Sequence, residues 1–411
     1  MERPLAIGIV GAGTAGAAAA TFLARAGHRV DLLECVANPG PVGAGITLQP
    51  TGLRALARLG LRKQVESHGA RIDQLVAVRR GGKPLVHLSY ASVDSRLYGV
   101  GIHRGVLFQA LFDAAKGTSA TVTCGVKIEK SILRGETRVL VDDKGTEHGP
   151  YDLIIAADGS VCELHSDAPR VKTTPYPYGA LWYVTDDVDD HWTKQRTLHQ
   201  AVDGAQHLLG FLPTGRAPGR EQRVISLFWS LRADRLDAWR TAGLSAWRDQ
   251  VLRVDPRAEG ILDTLHSLET VVFSRYRDVA MWPWHGDRIV FLGDAAHAMS
   301  PQLGQGANLA LMDAMTLADC ISSEPTVPAA LQCYSRIRRR HLAFYQFATR
   351  ALTPMFQSDS RLLGWLRDVV FPHSRWFSPL RYRMVRAMCG IDRGLIRGPM
   401  KVSDLLASAP P

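Results

Sequence analysis

Short wholly apolar runs, separated by small-residue or amphipathic stretches, organise the first part of the chain. Leu5–Val10 reads as a buried strand, followed by a Gly-rich turn and a small-residue helix from about Gly13 to Ala26. Gly27-His28 breaks that helix, and Val30–Glu34 is a second strand. Apolar runs of this length, without alternation, belong to a parallel sheet covered on both faces. Thr51–Gly60 sets Leu53, Leu56, Ala57 and Leu59 near helical spacing, and Val106–Lys116 does the same with Leu107, Leu111 and Ala114. Leu75–Ser89 alternates loosely and predicts strands, as do Ala120–Ile128 and Arg138–Asp142, with Asp143-Lys144-Gly145 as a hairpin turn. Tyr151–Ala156 is a further apolar strand, ending at Ala157-Asp158-Gly159.

From about residue 170 to 275 the pattern becomes aromatic and β-like. Tyr176–Val184, Leu198–Leu212 and Arg223–Leu231 are strand candidates, and Leu236–Val254 predicts a helix. Arg288–Leu292 returns to buried-strand character, helices follow over Gly306–Ile321 and 331–350, and Pro354, Pro372 and Pro379 punctuate a helical tail. The fold predicted is α/β: a Rossmann-like βαβ domain with an inserted antiparallel-sheet substrate domain and a C-terminal helical segment. The expected divisions are 1–75, 98–169 and 276–345 for the first, 76–97 and 170–275 for the second, and 346–411 for the basic tail.

Composition adds little to this picture and charge adds one point. At 46% hydrophobic and 21% charged over 411 residues, the chain is neither disordered nor a disulfide mini-protein. Residues 331–411 hold 14 Lys/Arg against 4 Asp/Glu and so carry the whole formal excess of +10. Either this is a solvated basic helix face, or it is a surface that meets anionic lipid as a peripheral membrane contact. No nucleic-acid-binding signature accompanies it. The six cysteines form no CxxC pair and no metal-ligand spacing, so no metal is expected, and they read as reduced thiols of a cytoplasmic protein. The uncharged run Leu5–Ala24 is too rich in glycine for a membrane helix. Monomer and homodimer both remain open.

The chemistry starts at Gly11-Ala12-Gly13-Thr14-Ala15-Gly16, a GxGxxG sequence between strand and helix, with Glu34 ending the next strand 18 residues after Gly16. Gly11 permits the tight turn, Gly13 lets a pyrophosphate approach the backbone, and Gly16 lets helix and strand pack closely. The helix start, through Ala15 and its neighbours, offers N–H groups to phosphate, and Glu34 can accept from ribose hydroxyls. The fingerprint alone does not separate FAD from NAD.

Two further segments do. Asp158-Gly159 ends a strand, and Phe291-Leu292-Gly293-Asp294-Ala295-Ala296-His297 is followed by Pro301-Gln302-Leu303-Gly304-Gln305-Gly306-Ala307-Asn308 and Asp313. Together with GxGxxG, over roughly residues 5–350, they resemble the class A flavoprotein monooxygenases, the para-hydroxybenzoate hydroxylase-like family. The resemblance implies that Asp294, after Gly293, bonds the ribityl chain of FAD. It implies that the backbone of Gly304, Gly306, Ala307 and Asn308 faces the flavin, where a helix N-terminus stabilises negative charge on the reduced ring. Pro301 would flank the substrate cavity, Arg104 would reach the FAD phosphate and ribose region, and Gln109 on the same helix is a further cofactor candidate. Gly45, in Gly43-Ala44-Gly45-Ile46, resembles the family's small-residue segment near the flavin. His297 reads as structural rather than catalytic. The second motif departs from the family pattern: Cys162 replaces serine and His165 replaces arginine.

The reaction implied is hydroxylation of an aromatic or electron-rich small molecule by O2 through a flavin C4a-hydroperoxide, with NAD(P)H as a transient donor, since no second GxGxxG follows a strand. A base would come from the middle sheet, the candidates being His199, His207, Tyr176, Tyr178 and Tyr183. Trp182, Phe211, Phe228 and Trp229 would suit the wall of an aromatic pocket. The alternatives are an oxidase, dehydrogenase or N-oxygenase on the same scaffold, and a flavin-binding protein without turnover. Trp282-Pro283-Trp284 resembles the halogenase tryptophan pair only superficially, because it precedes the Gly293-Asp294 strand.

Overall fold

A computed structural model describes residues 3–374, 377–394 and 398–406, so parts of the predicted tail lie outside the described residues. The opening βαβ forms as Ala6–Val10, Thr14–Arg25 and Arg29–Glu34. These strands sit in a six-stranded sheet ordered His285–Gly286, Ile289–Phe291, Leu153–Ala156, Ala6–Val10, Arg29–Glu34, Thr121–Cys124. All neighbours are parallel except the short hairpin at the edge. Ile7, Ile9, Leu32, Leu153 and Val290 are completely buried, as strands covered on both faces require. Gly8 interrupts the apolar run because a methyl group there would lie 2.7 Å from the Tyr151 ring.

The second large sheet has seven strands in the order Val272–Met281, Val171–Asp186, Arg223–Arg232, His207–Arg216, Thr197–Asp203, Gln74–Arg79, Pro84–Ser89. It is antiparallel but for the pair 197–203 with 74–79. The predicted strand Leu198–Leu212 is a hairpin that turns at Gly204, whose φ is +58°. Val272–Met281 is an edge strand that the sequence pattern did not reveal and that runs across residue 275. Its exposed Arg275 and Arg277 read as loop residues, although charge on an edge is how sheets avoid unwanted pairing.

The two faces of this sheet meet different partners. The helical stretch Leu236–Val254, kinked at Gly243 where φ is +82°, covers one face, where Leu181, Tyr183, Phe211, Leu227, Trp229, Trp239 and Trp247 form a separate core. From the opposite face Leu75, Leu198 and Leu212 reach the main core of the dinucleotide-binding sheet. The small strand Gly45–Leu48 presses on that same face: a methyl group at Gly45 would lie 2.6 Å from Thr214 Oγ1 and 2.8 Å from Ser226 Oγ.

Helix Gly306–Ser323 is buried almost along its length between Thr14–Arg25, Pro50–Arg58 and the long helix Val327–Phe356. The tail continues as Arg361–His373, Ser378–Met388 and Val402–Leu406. Pro354 and Pro372 lie in the last turns of their helices, where each removes one i→i−4 hydrogen bond close to the helix end, and Pro379 lies at the start of its own, where its missing N–H has no helical partner to lose. The tail packs on both halves of the molecule. Val385, Met388, Cys389 and Ile391 join the main core, while Phe356 and Phe371 stack against Leu85, Val202, Leu208 and Phe228 on the seven-stranded sheet. All six cysteines are free thiols. Among the described residues no helix is long and apolar enough to cross a membrane.

Candidate active site

The three glycine-bearing motifs, distant in sequence, interlock through their backbones. Gly11 has φ +95°, and a methyl group there would lie 2.6 Å from the Ala157 carbonyl oxygen. At Gly16 it would lie 1.9 Å from the Gly11 carbonyl, so only hydrogen lets the helix close on the turn. Gly293, φ +58°, rests between Ala15 and Ala310, while Gly306 looks toward Asp294 Oδ1 at 4.0 Å. The Asp158 loop is tied to the Gly293 loop by His165, whose Nε2 donates to the Ala295 carbonyl at 2.7 Å.

Within this frame some glycines serve packing and others face open space. Nothing lies within 4 Å of a methyl group placed at Gly13, Gly159 or Gly304. Those three, with Gly306, expose backbone where a ligand can approach closely. Thr14–Arg25 starts there without a side-chain cap, and so does Gly306–Ser323, so their first N–H groups are available to an anion or to a negatively charged ring. Asp294 is exposed at the mouth, and Asp158 holds its Oδ1 buried without a partner. An orphaned buried carboxylate oxygen is costly unless a ligand hydroxyl or amide completes it. Burial pushes the Asp158 carboxyl above its usual range, opposed by the neighbouring Cys162 thiol and by the Glu163 N–H that donates to its other oxygen.

Glu34 accepts from Ala12 N at 2.8 Å and from Val36 N at 2.9 Å, which fastens the Gly-rich turn to the second strand. Arg104 opens a helix capped by His103, whose ring accepts from Gly105 N at 3.1 Å. Its side chain is exposed and runs past Gly43, where a methyl group would lie 3.3 Å from Arg104 Cδ. Gln109 is placed otherwise. It donates to Asp113 at 2.8 Å and borders a separate cleft of about 690 Å³ with Gln64, His68 and Arg216. Gly45 is small because the seven-stranded sheet lies directly against it, and its N–H donates to Ser226 Oγ at 3.0 Å. The Asn308 side chain is spent on structure: it accepts from Gln49 N at 2.7 Å and donates to the carbonyls of Thr47 and Gly304.

Behind the Gly293 loop lies a buried polar chain. Asp313 accepts from Gly293 N at 2.9 Å, from His297 Nε2 at 2.6 Å and from Arg338 Nε at 2.6 Å. Burial alone would raise its pKa, but Arg338 and His297 hold it at about 2. Arg338 continues to His341 Nδ1 at 2.8 Å, and His341 Nε2 donates to the Gly390 carbonyl at 2.6 Å. His297 is thus a structural member of this chain. No motif marked Arg338 or His341; their only sequence signal was membership in a basic helix.

The substrate-side candidates divide by sheet face. His207 stacks on Trp229 at 5.0 Å, and His199 lies edge-on to Trp192 at 5.8 Å with its Nε2 bonded to Gln195. Both rings point to the helix-covered face, away from the glycine cradle. Burial next to Arg257 pushes His199 down to about 4. Phe211 and Trp229 share that core, and Tyr183 donates to the Thr264 carbonyl there. Trp182 and Phe228 point the other way, their rings 5.1 Å apart and half exposed. Tyr276, which sequence reasoning missed with its strand, accepts from the Trp182 indole at 3.4 Å. Tyr176 lies beside Ser300, next to the exposed Pro301, and bonds Asp278 at 3.4 Å; Tyr178 donates to Asp359 at 3.0 Å. Burial raises the phenols of Tyr176, Tyr178 and Tyr276, the last to about 12, so all three are neutral donors near pH 7.

Interlocked glycine turns facing two uncapped helix starts, with a free aspartate at the mouth, define a dinucleotide cradle of the flavoprotein kind. Comparison with known proteins agrees. Residues 5–345 match the FAD binding domain family, and the chain belongs to it. Kynurenine 3-monooxygenase of Salinispora arenicola is 28% identical over 363 residues, covering 81% of this chain and 76% of its own. The 3-hydroxybenzoate 6-hydroxylase of Klebsiella oxytoca is 28% identical over 370 residues, covering 85% and 88%. Among solved structures, Pseudomonas aeruginosa PqsL in complex with 2-aminobenzoylacetate superposes with a TM-score of 0.76 at 22% identity, over 88% of this chain and 99% of that one. The protein is an FAD-dependent monooxygenase of the class A, hydroxylase type.

Proposed function

We propose that the enzyme uses NAD(P)H and O2 to hydroxylate an aromatic or similarly electron-rich small molecule lying between the FAD cradle and the part of the seven-stranded sheet that carries Trp182 and Tyr276. The observation that carries this reading is the half-exposed group Trp182, Phe228 and Tyr276, on the sheet face that looks toward the cradle. Flat apolar walls with one or two neutral donors suit an aromatic ring bearing an oxygen or nitrogen. Both curated relatives are monooxygenases or hydroxylases by name, one of them acting on 3-hydroxybenzoate.

FAD, when bound, supplies the redox and oxygen-activating chemistry that these side chains lack. The cradle would hold its pyrophosphate at Gly13 and the first turn of Thr14–Arg25, its ribose at Glu34, its ribityl chain at Asp294, and its ring beside the start of Gly306–Ser323. Arg104, exposed beside Gly43, would add a positive charge near the phosphates. The Pro301 loop and Tyr176 would close the cavity edge, excluding water from the reacting face. The phenols of Tyr176 and Tyr276, kept protonated by burial, would orient a substrate by donating to it and would not serve as bases.

Anaerobic mixing with NADH or NADPH, with and without phenols and aromatic amines, tests this reading. Ligand-accelerated bleaching of the flavin, and one labelled oxygen from 18O2 in the product, are expected. A product oxidised without labelled oxygen would move the assignment to an oxidase or dehydrogenase.

A further inference from the structure

Helix Arg361–His373 is built inside out. Its inward positions are Gly364, which packs against Ala205, and Arg367, only 1% exposed. The Arg367 guanidinium donates to the carbonyls of Gly204 and Met355 at 2.9 and 3.0 Å, pairs with Asp368, and lies over the Phe356 ring at 5.1 Å. Its outward positions are Leu362, Trp365, Leu366, Val369 and Val370, between 37% and 69% exposed. They recur at intervals of three and one, which gathers them into a single stripe. A soluble helix normally buries that stripe and exposes the arginine. The apolar surface continues past this helix, where Phe377, Leu380 and Tyr382 are also exposed.

We propose that this face docks the enzyme on an anionic lipid surface. Residues 331–411 carry the entire net charge of +10, so the apolar stripe belongs to the most positive part of the chain. Anionic headgroups satisfy both properties together, since the exposed Arg361, which opens the helix, and Arg381, beside Leu380 and Tyr382, can meet the surface charge while Trp365 and its aliphatic neighbours enter the headgroup–acyl boundary. A second copy of this face would instead bring two positive segments together. At 13 residues the helix is about 20 Å long, which suits lying on a bilayer and is too short to cross one. The basic residues that looked most membrane-like in the sequence serve elsewhere: Arg338 is buried on Asp313, and Arg383 and Arg386 pair with Asp392. The contact is therefore assigned to 361–373. On the inner side of this helix Phe371 and Phe356 close over the sheet face that carries Phe228.

The test is flotation of the FAD-loaded enzyme with vesicles of pure phosphatidylcholine and of phosphatidylcholine with 30 mol% (about one lipid in three) phosphatidylglycerol. Binding to the anionic vesicles is expected, weakened several-fold by about 0.5 M salt. The double variant Trp365→Glu/Val369→Glu should lower the partition coefficient at least about tenfold while keeping its flavin absorbance. Trp365→Ser serves the same purpose should the double variant fold poorly. Wild-type enzyme that ignores anionic vesicles, or a variant that floats as well as wild type, overturns the proposal. So does a wild-type dimer in sedimentation that the double variant dissociates without any vesicle binding, because the face would then be a protein interface.

Discussion

At Gly13, Gly159 and Gly304 the cradle presents bare backbone with open space before it, whereas the seven-stranded sheet presents side chains, different ones on each face. In the cradle, residue choice is dictated by how closely atoms approach: 1.9 Å at Gly16 and 2.6 Å at Gly11 leave no room for any other residue. In the sheet, what decides is parity along the strand. Phe228 and Trp229 are neighbours in sequence, yet one packs beside Phe356 and Phe371 on one face and the other lies in the core under helix Leu236–Val254 on the other. Chemistry written into backbone geometry is therefore local and readable, while chemistry written into register is visible only once every strand is paired.

The strongest way to break this contrast is at the buried carboxylate beneath the cradle. Asp313→Asn leaves the Arg338 charge buried without its counter-ion, and a loss of about 3–5 kcal/mol in denaturant unfolding is expected. The acid limb provides the sign. With a folded pKa of about 2 against an unfolded value near ~3.9, Asp313 stabilises fully above that unfolded value. Its contribution is lost as pH falls from there through the folded value. The variant's acid unfolding should be flatter across that window; an unchanged curve would mean the ion pair contributes nothing.

The next effect separates the two kinds of glycine. Gly13→Val should weaken FAD binding about 100-fold, or ~2.8 kcal/mol, with little change in apoprotein stability, because space before Gly13 is open. Gly16→Ala should instead lower apoprotein stability by about 1–3 kcal/mol, since its methyl group meets the Gly11 carbonyl. Flavin titration and thermal melts of both variants check this, and matching profiles would erase the distinction.

On the sheet, Trp182→Leu should raise KM for an aromatic substrate about tenfold, ~1.4 kcal/mol, while leaving the melting temperature nearly unchanged. The smallest effect sharpens the argument about faces. His199→Gln and His207→Gln should keep kcat/KM within about twofold between pH 5.5 and 8, because both rings lie on the covered face and His199 is neutral throughout. A tenfold loss, or the disappearance of a pH limb, would restore them as candidates for the base.

The opening βαβ, the central helix and the three glycine motifs were legible in sequence because strand, turn and helix follow one another within a few residues. The positions of Glu34 at the end of its strand and of Asp294 just after Gly293 were legible for the same reason. The strand Val272–Met281 escaped because charged edge residues hide its alternation, and Tyr276 was lost with it. Gly45 was read as a flavin neighbour, but its size answers to Thr214 and Ser226, more than 160 residues away, which no local pattern reports. The tail was read as basic, which it is. That one of its arginines turns inward while five apolar residues turn outward depends on where Gly204 and Met355 present their carbonyls.

The polar chain from Gly293 through Asp313, Arg338 and His341 ends at Gly390, far along the sequence from where it begins. The turn that presents Asp294 is thus anchored by a carbonyl synthesised well after the turn itself. A nascent chain can form its first βαβ early, but it cannot brace the Gly293 loop until that carbonyl has left the ribosome. A message cut short anywhere before codon 390 would therefore encode the GxGxxG turn without the carbonyl that braces the Gly293 loop.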